Sequence, residues 1–198
     1  MEEKEALKLL ENGDINSCID YFKTNNHSLE YGYCLLLTGH LIEAEKIFSS
    51  IDSVRADWLL KIIQILKGYL KEYPTYFQIR NFLEIDLTMF FKTKQLNYIR
   101  QIVSYADIFQ NINGESYKFL ARAFLKNDYP NVCKPFLDKS LSYFYNDVEL
   151  HYLFAEYYLY MNDYKHAKVA VENCLRINPD YFPAKKTKTI LELSSQQN

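Results

Sequence analysis

One stretch, Val148 to Tyr181, constrains this chain more than any other. It reads VELHYLFAEYYLYMNDYKHAKVAVENCLRINPDY. Apolar residues recur at helical spacing over 149–160 and again over 164–177, which predicts two helices. Met161-Asn162-Asp163 separates them, and Asp163 is suited to cap the second, because a carboxylate accepts bonds from the free N–H groups of a first turn. Asn178-Pro179 ends the second helix, since the residue before a proline is driven out of the helical region. Two helices cross closely only where their side chains are small, and Ala155 and Ala167 are the crossing points. Tyr158 and Leu175 lie on the same faces by i, i+3, i+4 spacing.

The pattern recurs. A step back by the length of this stretch, from Ala155, Tyr158, Ala167 and Leu175, reaches Ala121, Phe124, Cys133 and Leu141. A further step of the same length reaches Leu87, Phe90 and Ile99, a looser match helped by nearby Ala106. Gly32, Gly39, Ala44 and Phe48 repeat the small-residue-and-turn pattern, and so do Gly13-Asp14-Ile15, Cys18 and Phe22. This set of positions resembles the tetratricopeptide repeat (TPR) family, whose repeat is about 34 residues long. The resemblance implies an all-α chain built as a right-handed superhelical stack of antiparallel helix pairs, a TPR-like solenoid of about 12 helices.

The whole of 1–198 reads as a single domain with internal divisions. Residues 1–52 hold two short degenerate helix pairs, with helices over 2–10, 15–22, 29–37 and 41–50. Residues 53–113 hold an inserted helix and a degenerate pair. The insertion follows from phase: the step from Cys18 to Ala44 is shorter than one repeat, whereas that from Ala44 to Ile99 exceeds one repeat by the length of a helix and a loop. The inserted helix, 53–71, has a narrow polar stripe of Asp57, Lys61, Gln64, Gly68 and Lys71. Trp58, Leu59, Ile62, Ile63, Leu66, Tyr69 and Leu70 cover most of the rest, so it is expected to be buried on more than one side. An alternative reading pairs it with the helix after Pro74. Helices over 75–91 and 96–108 complete this region. Residues 114–181 carry two well-matched repeats, the first with helices over 115–126 and 130–143. Pro135 departs from the family pattern and is harmless only if that helix begins near Asn131 or Val132. Residues 182–194 form a capping helix in which Tyr181, Phe182, Ile190 and Leu191 cover the last repeat and Lys185, Lys186 and Lys188 face water. Residues 194–198 are expected to fray.

Composition narrows the function. Hydrophobic residues make up 48% and the formal charge is −2, which favours a packed core and gives no general attraction to nucleic acid or to a membrane surface. No apolar run is long enough to span a bilayer. The beginning, MEEKEALKLL, is acidic and amphipathic, unlike a secretory leader. A cytoplasmic protein is the expectation. The four cysteines have neither metal-ligand nor C-x-x-C spacing. Cys18 and Cys133 fall in the slot held by Ala44 and Ala167, and Cys174 sits one turn before its helix ends, so all read as small core residues. The histidines (His27, His40, His151, His166) stand near no nucleophile or carboxylate at a catalytic spacing. No catalytic, cofactor or metal residue is indicated, and no enzyme activity is expected.

In the family, the first helix of each pair lines a concave groove that receives a peptide or a helix. Carried onto this sequence, the resemblance assigns Tyr33, Leu36 and Leu37 to that groove, then Thr88, Phe91 and Lys92. Lys118, Arg122, Leu125 and Lys126 follow, and finally Tyr152, Glu156, Leu159 and Tyr160. Tyr and Leu would serve as apolar anchors, with Lys118 and Arg122 meeting a carboxylate or acidic segment. The family's clamp for a C-terminal carboxylate is not expected: Lys118 fits its first lysine, but Arg122 and Leu153 stand where it needs asparagines. The implied role is a non-enzymatic adaptor whose partner is another protein. The alternative is an assembly subunit or self-associating scaffold that uses edges or convex faces and part of the Tyr and Phe content.

Overall fold

The computed structural model describes residues 1–195, and they form helices joined by turns, with no strand among them. The chain divides into two compact units, Met1–Ser116 and Tyr117–Asn198. The first contains α1 (Glu3–Asn12), α2 (Ile15–Thr24), α3 (Ser28–Leu37), α4 (Leu41–Phe48), α5 (Val54–Leu66), α6 (Tyr76–Lys92), α7 (Leu96–Val103) and α8 (Ala106–Ile112). The second contains α9 (Ser116–Lys126), whose first residue closes the first unit, then α10 (Pro130–Tyr143), α11 (Val148–Tyr160), α12 (Tyr164–Ile177) and α13 (Phe182–Ser195). Consecutive helices pack on one another from α1 through α7 and from α10 through α13.

The turns explain why. Gly13, Gly39, Lys94, Asp128 and Asn162 all adopt left-handed backbone, with φ between 58° and 91°. The residue after each donates its N–H to the carbonyl five residues back: Asp14 to Leu9, His40 to Leu35, Gln95 to Phe90, Tyr129 to Phe124 and Asp163 to Tyr158, at 2.8–3.0 Å. This is the Schellman closure, which satisfies carbonyls left open at a helix end and reverses the chain within two or three residues. The next helix starts at once and runs back along the first. Lys94, Asp128 and Asn162 are evenly spaced, at the same interval as the repeat in the sequence, and Gly13 and Gly39 are separated by the shorter step that parts Cys18 from Ala44. The repeat is therefore visible in the backbone even at Lys94, where side-chain similarity is weakest.

Each turn also sets a register. Five residues beyond the left-handed positions lie Cys18, Ala44, Ile99, Cys133 and Ala167, and all are buried. Seven residues before them lie Ala6, Gly32, Leu87, Ala121 and Ala155, again all buried. These are the inner faces of the pairs, where backbones come closest. At Gly32 the approach leaves no room for a side chain: an added Cβ would sit 2.7 Å from a ring carbon of Phe48.

α5 departs from this regularity. Ser53 caps it through Ala56 N–H at 3.1 Å, and it packs against α3, α4, α6 and α7. Trp58, Leu59, Ile62, Ile63 and Ile65 are all fully buried. It stops at Leu66 instead of reaching Lys71, because Gly68 turns left-handed and Tyr69 N–H closes on Gln64 O. No helix follows at once here; the chain runs in a loop to the capping box of Thr75 and Gln78.

One further run differs from expectation. The run expected as one helix over 96–108 is two, α7 and α8, which brings the described helices to thirteen. The break at Ser104-Tyr105 lets α8 turn Phe109 into the core against Trp58, with ring centroids 6.3 Å apart. α10 starts at Pro130, so Pro135 lies inside it; Pro135 and Asn131 are both exposed, and water can take the bond that the missing N–H would have made. α13 continues through Ser195, while the expected fraying beyond it, at 196–198, lies outside the described residues.

Backbone strain at these turns has a paired test. Gly39 has open space, its nearest neighbour being Tyr98 Oη at 3.7 Å, so Gly39→Ala should lose stability through backbone strain alone, about 1 kcal/mol. Lys94→Gly should be neutral or gain up to about 1 kcal/mol, because it relieves the same strain. Urea unfolding measures both, and a loss at Lys94→Gly would refute the assignment of strain to that turn.

Candidate functional site

In the first unit, three of the residues assigned to a groove are core. Leu36 and Leu37 are fully buried and Tyr33 is buried, because α3 is covered by α2, α4 and α5. This corrects the groove assignment for all three. The Tyr33 hydroxyl donates to Asp86 Oδ1 at 2.6 Å. Asp86 is itself buried and accepts three further bonds: from Arg55 Nη1 and Nη2 at 2.7 and 2.6 Å, and from Trp58 Nε1 at 2.6 Å. The Arg55 guanidinium lies over the rings of Tyr33 and Phe82. Burial works against the Arg55 charge, but Asp86 more than offsets it, and the guanidinium pKa is raised above its usual value. Burial, then the Asp86 charge, raises the Tyr33 hydroxyl well above its ordinary range. A buried carboxylate with every lone-pair direction engaged is a fastening between α3, α5 and α6. The sequence reading missed it, although an Asp on the mostly apolar inner face of a helix was a visible signal.

Phe91 is partly buried and Lys92 is exposed. Lys92 Nζ donates to Glu11 O at 2.5 Å, which ties the end of α6 to the end of α1. Thr88 and Lys92 do line an open depression of about 460 Å³, with Arg80, Asn81, Glu84 and Ile85 further along α6. Phe77 and Ile85, 56% and 55% exposed, belong to the same side of α6 and were not singled out in the sequence.

In the second unit, Lys118 is only 3% exposed. Its Nζ donates to Asp147 Oδ2 at 2.6 Å and lies 3.1 Å from Glu149 Oε2. Arg122 Nη2 donates to Glu149 Oε1. The carboxylate expected from a partner is thus the chain's own, supplied by the N-cap and first turn of α11. Asp147 also accepts from Leu150 N–H at 3.0 Å. Lys118 is a structural residue, a second correction to the expected groove. Burial by itself would raise the Asp147 carboxyl, but the bonds from Lys118 and Leu150 prevail and hold its pKa below the ordinary carboxylate value.

Only part of the remaining expected surface is open. Lys126, Glu156 and Tyr160 are exposed, and Leu159 is partly so. The protein around the Glu156 carboxyl raises its pKa, with Lys126 and Arg122 pulling the other way. Tyr160 stands beside Asp128. Tyr152 is turned toward the last helix: its hydroxyl is 3.3 Å from Thr187 Oγ1 and its ring meets Tyr181 edge to face. Leu125 is buried. The open part is therefore a small mixed patch on α9 and α11, with Lys126, Glu156 and Tyr160 at its centre.

Among the described residues no group of three or more His, Cys, Asp or Glu side chains is placed to hold a metal ion, and no helix is long and apolar enough to cross a membrane. All four cysteines are buried free thiols. Burial pushes the Cys133 and Cys174 thiols up to about 12. His166 Nδ1 pairs with the helix cap Asp163 at 2.6 Å, and His151 Nε2 bonds to Tyr145 O at 2.8 Å. No protein-family model, curated protein or solved structure matches the chain.

Both buried ion pairs can be tested by substitution. Asp86→Ala strands a largely covered guanidinium and leaves the Tyr33 and Trp58 donors without their acceptor, and should cost about 3 kcal/mol in chemical unfolding; a loss under about 1 kcal/mol would exclude the fastening role. Asp147, with its pKa depressed on folding, contributes stability that is present above the ordinary carboxylate pKa and lost as pH falls through the depressed value. Lys118→Met removes the largest of the interactions that lower that pKa. The melting-temperature gap between wild type and Lys118→Met should therefore narrow between about pH 5 and pH 2, and a gap independent of pH would contradict the pairing.

Proposed function

We propose that this chain is a non-enzymatic interaction adaptor of the tetratricopeptide type, a right-handed stack of helix pairs that binds a peptide or helical segment of another protein. The observation that carries this reading is the recurrence of one turn geometry and one buried register at Lys94, Asp128 and Asn162, spaced at equal intervals along the chain. Repeated pairs of this kind present preformed side chains at fixed spacing, so ordering the ligand is the main entropic cost of binding. The binding surface we favour is the Lys126, Glu156 and Tyr160 patch of the second unit. Its charges of both signs beside an exposed tyrosine suit a polar segment with one aromatic or aliphatic anchor. The four reduced thiols fit a cytoplasmic setting.

The test is a displayed peptide library selected against the full chain, followed by titration of the selected segments. Tyr160→Ala and the pair Lys126→Glu with Glu156→Lys should each weaken binding at least tenfold, about 1.4 kcal/mol, with an unchanged circular dichroism spectrum. Lys118 is left intact because its loss would disturb folding. Segments that bind all variants equally, or a selection that yields none, would overturn the assignment.

A further inference from the structure

One side of α6 carries an apolar stripe that stays largely uncovered, although the Phe77 ring meets Phe82 edge to face within the chain. Phe77, Asn81 and Ile85 follow one another at intervals of four, so they form a single stripe of about 12 Å on a helix rising about 1.5 Å per residue. Phe77 and Ile85 are each more than half exposed, and Asn81 is exposed between them. Along one flank of the stripe run Arg80 and Glu84, also four apart. Arg80 Nη1 reaches Glu115 at 2.6 Å, yet its side chain stays 53% exposed. Asn81 Nδ2 donates to Phe77 O at 2.7 Å, so the amide is held pointing along the stripe.

We infer that this face of α6 is a self-association surface, where α6 of a second copy lies antiparallel across a twofold axis at Asn81. With Asn81 opposite its own copy, Phe77 of one chain meets Ile85 of the other, and the reverse, so the larger apolar side chain is always set against the smaller. A twofold axis of this kind keeps like flanks on the same side, which sets Arg80 of each chain within one turn of Glu84 of the other. The two arginines also come near one another, and Glu115 of each chain offsets part of that charge. A parallel alignment would instead set Phe77 against Phe77 and part the charged flanks. Asn81 on the axis fixes the register, since any slip leaves an amide buried against an apolar side chain. Such an isologous contact closes on two chains and leaves no open edge. One helix face per chain is a small interface, so the dimer is weak and dissociates on dilution.

The α6 face is separate from the α9 and α11 patch of the peptide-binding proposal, and the two stand or fall independently. The experiment is sedimentation equilibrium of the full chain from about 1 to about 200 µM, where mass action resolves a weak dimer. The expected result is a mass rising from one chain toward two, with Ile85→Glu remaining at one chain throughout. Glu84→Arg should weaken association and the swap Arg80→Glu with Glu84→Arg should recover it. A thermal melt of each variant confirms folding. The axis is tested by Asn81→Cys with diamide: two thiols across the axis form one disulfide, and their two electrons and two protons reduce the diazene to its hydrazine. Covalent dimer should appear much faster than for Asp20→Cys on α2. A wild type that stays at one chain at the highest concentration would overturn the inference. So would a dimer indifferent to Ile85→Glu, or cross-linking at Asn81→Cys no faster than the control.

Discussion

A left-handed residue at the end of a helix closes two open carbonyls and turns the chain back within two or three residues, and the rest of this architecture depends on that closure. Once the turn is made, the inner faces of the pair are determined. The residue seven before and the residue five after must lie where the two backbones approach, and only small or well-packed side chains fit. Gly32, Ala121 and Ala155 satisfy the first position and Ala44, Cys133 and Ala167 the second. The backbone cost at Lys94, Asp128 and Asn162 is a modest local strain that the paired helices outweigh.

Where the turn is not followed by a helix, at Gly68, packing alone has to organise the chain. α5 meets four other helices there, and a polar fastening sits among them. Asp86 holds Tyr33, Arg55 and Trp58 from two other helices. The charge is tolerated because every hydrogen-bonding direction is used and the cation is bidentate. Lys118 with Asp147 and Glu149 plays the corresponding part in the second unit. In both places charges that look available in a sequence are engaged inside the protein, so what remains for a partner is smaller than a list of charged residues suggests.

The solvent-facing surface has a definite composition, though Arg80 within it is paired with Glu115. On α9 and α11 it is a lysine, a glutamate and a tyrosine; on α6 it is two apolar residues, an asparagine and a pair of opposite charges. The first suits a segment of another protein. The second complements itself when its direction is reversed, which is the property a twofold contact requires. The two faces lie on different helices, one in each compact unit.

Helix positions, turn positions and most of the core were legible in the residues, because helical periodicity and the glycine, asparagine and proline signals are local properties. The step of one repeat to Ala121, Cys133 and Leu141 followed from the same regularity. The turn between the helices expected over 75–91 and 96–108 was legible, but Lys94 as its left-handed residue was not, since lysine has no preference for left-handed backbone. The end of α5 at Leu66 and the break between α7 and α8 were hidden for a different reason: each depends on what the surrounding structure needs, Tyr69 closing on Gln64 and Phe109 reaching Trp58. The candidate site divides along the same line. The sequence by itself determined which faces carry Lys126, Glu156 and Tyr160. Only the tertiary structure decided that Tyr33, Leu36, Leu37 and Lys118 are interior, because burial is set by which helix lies alongside, and helical spacing carries no record of that neighbour.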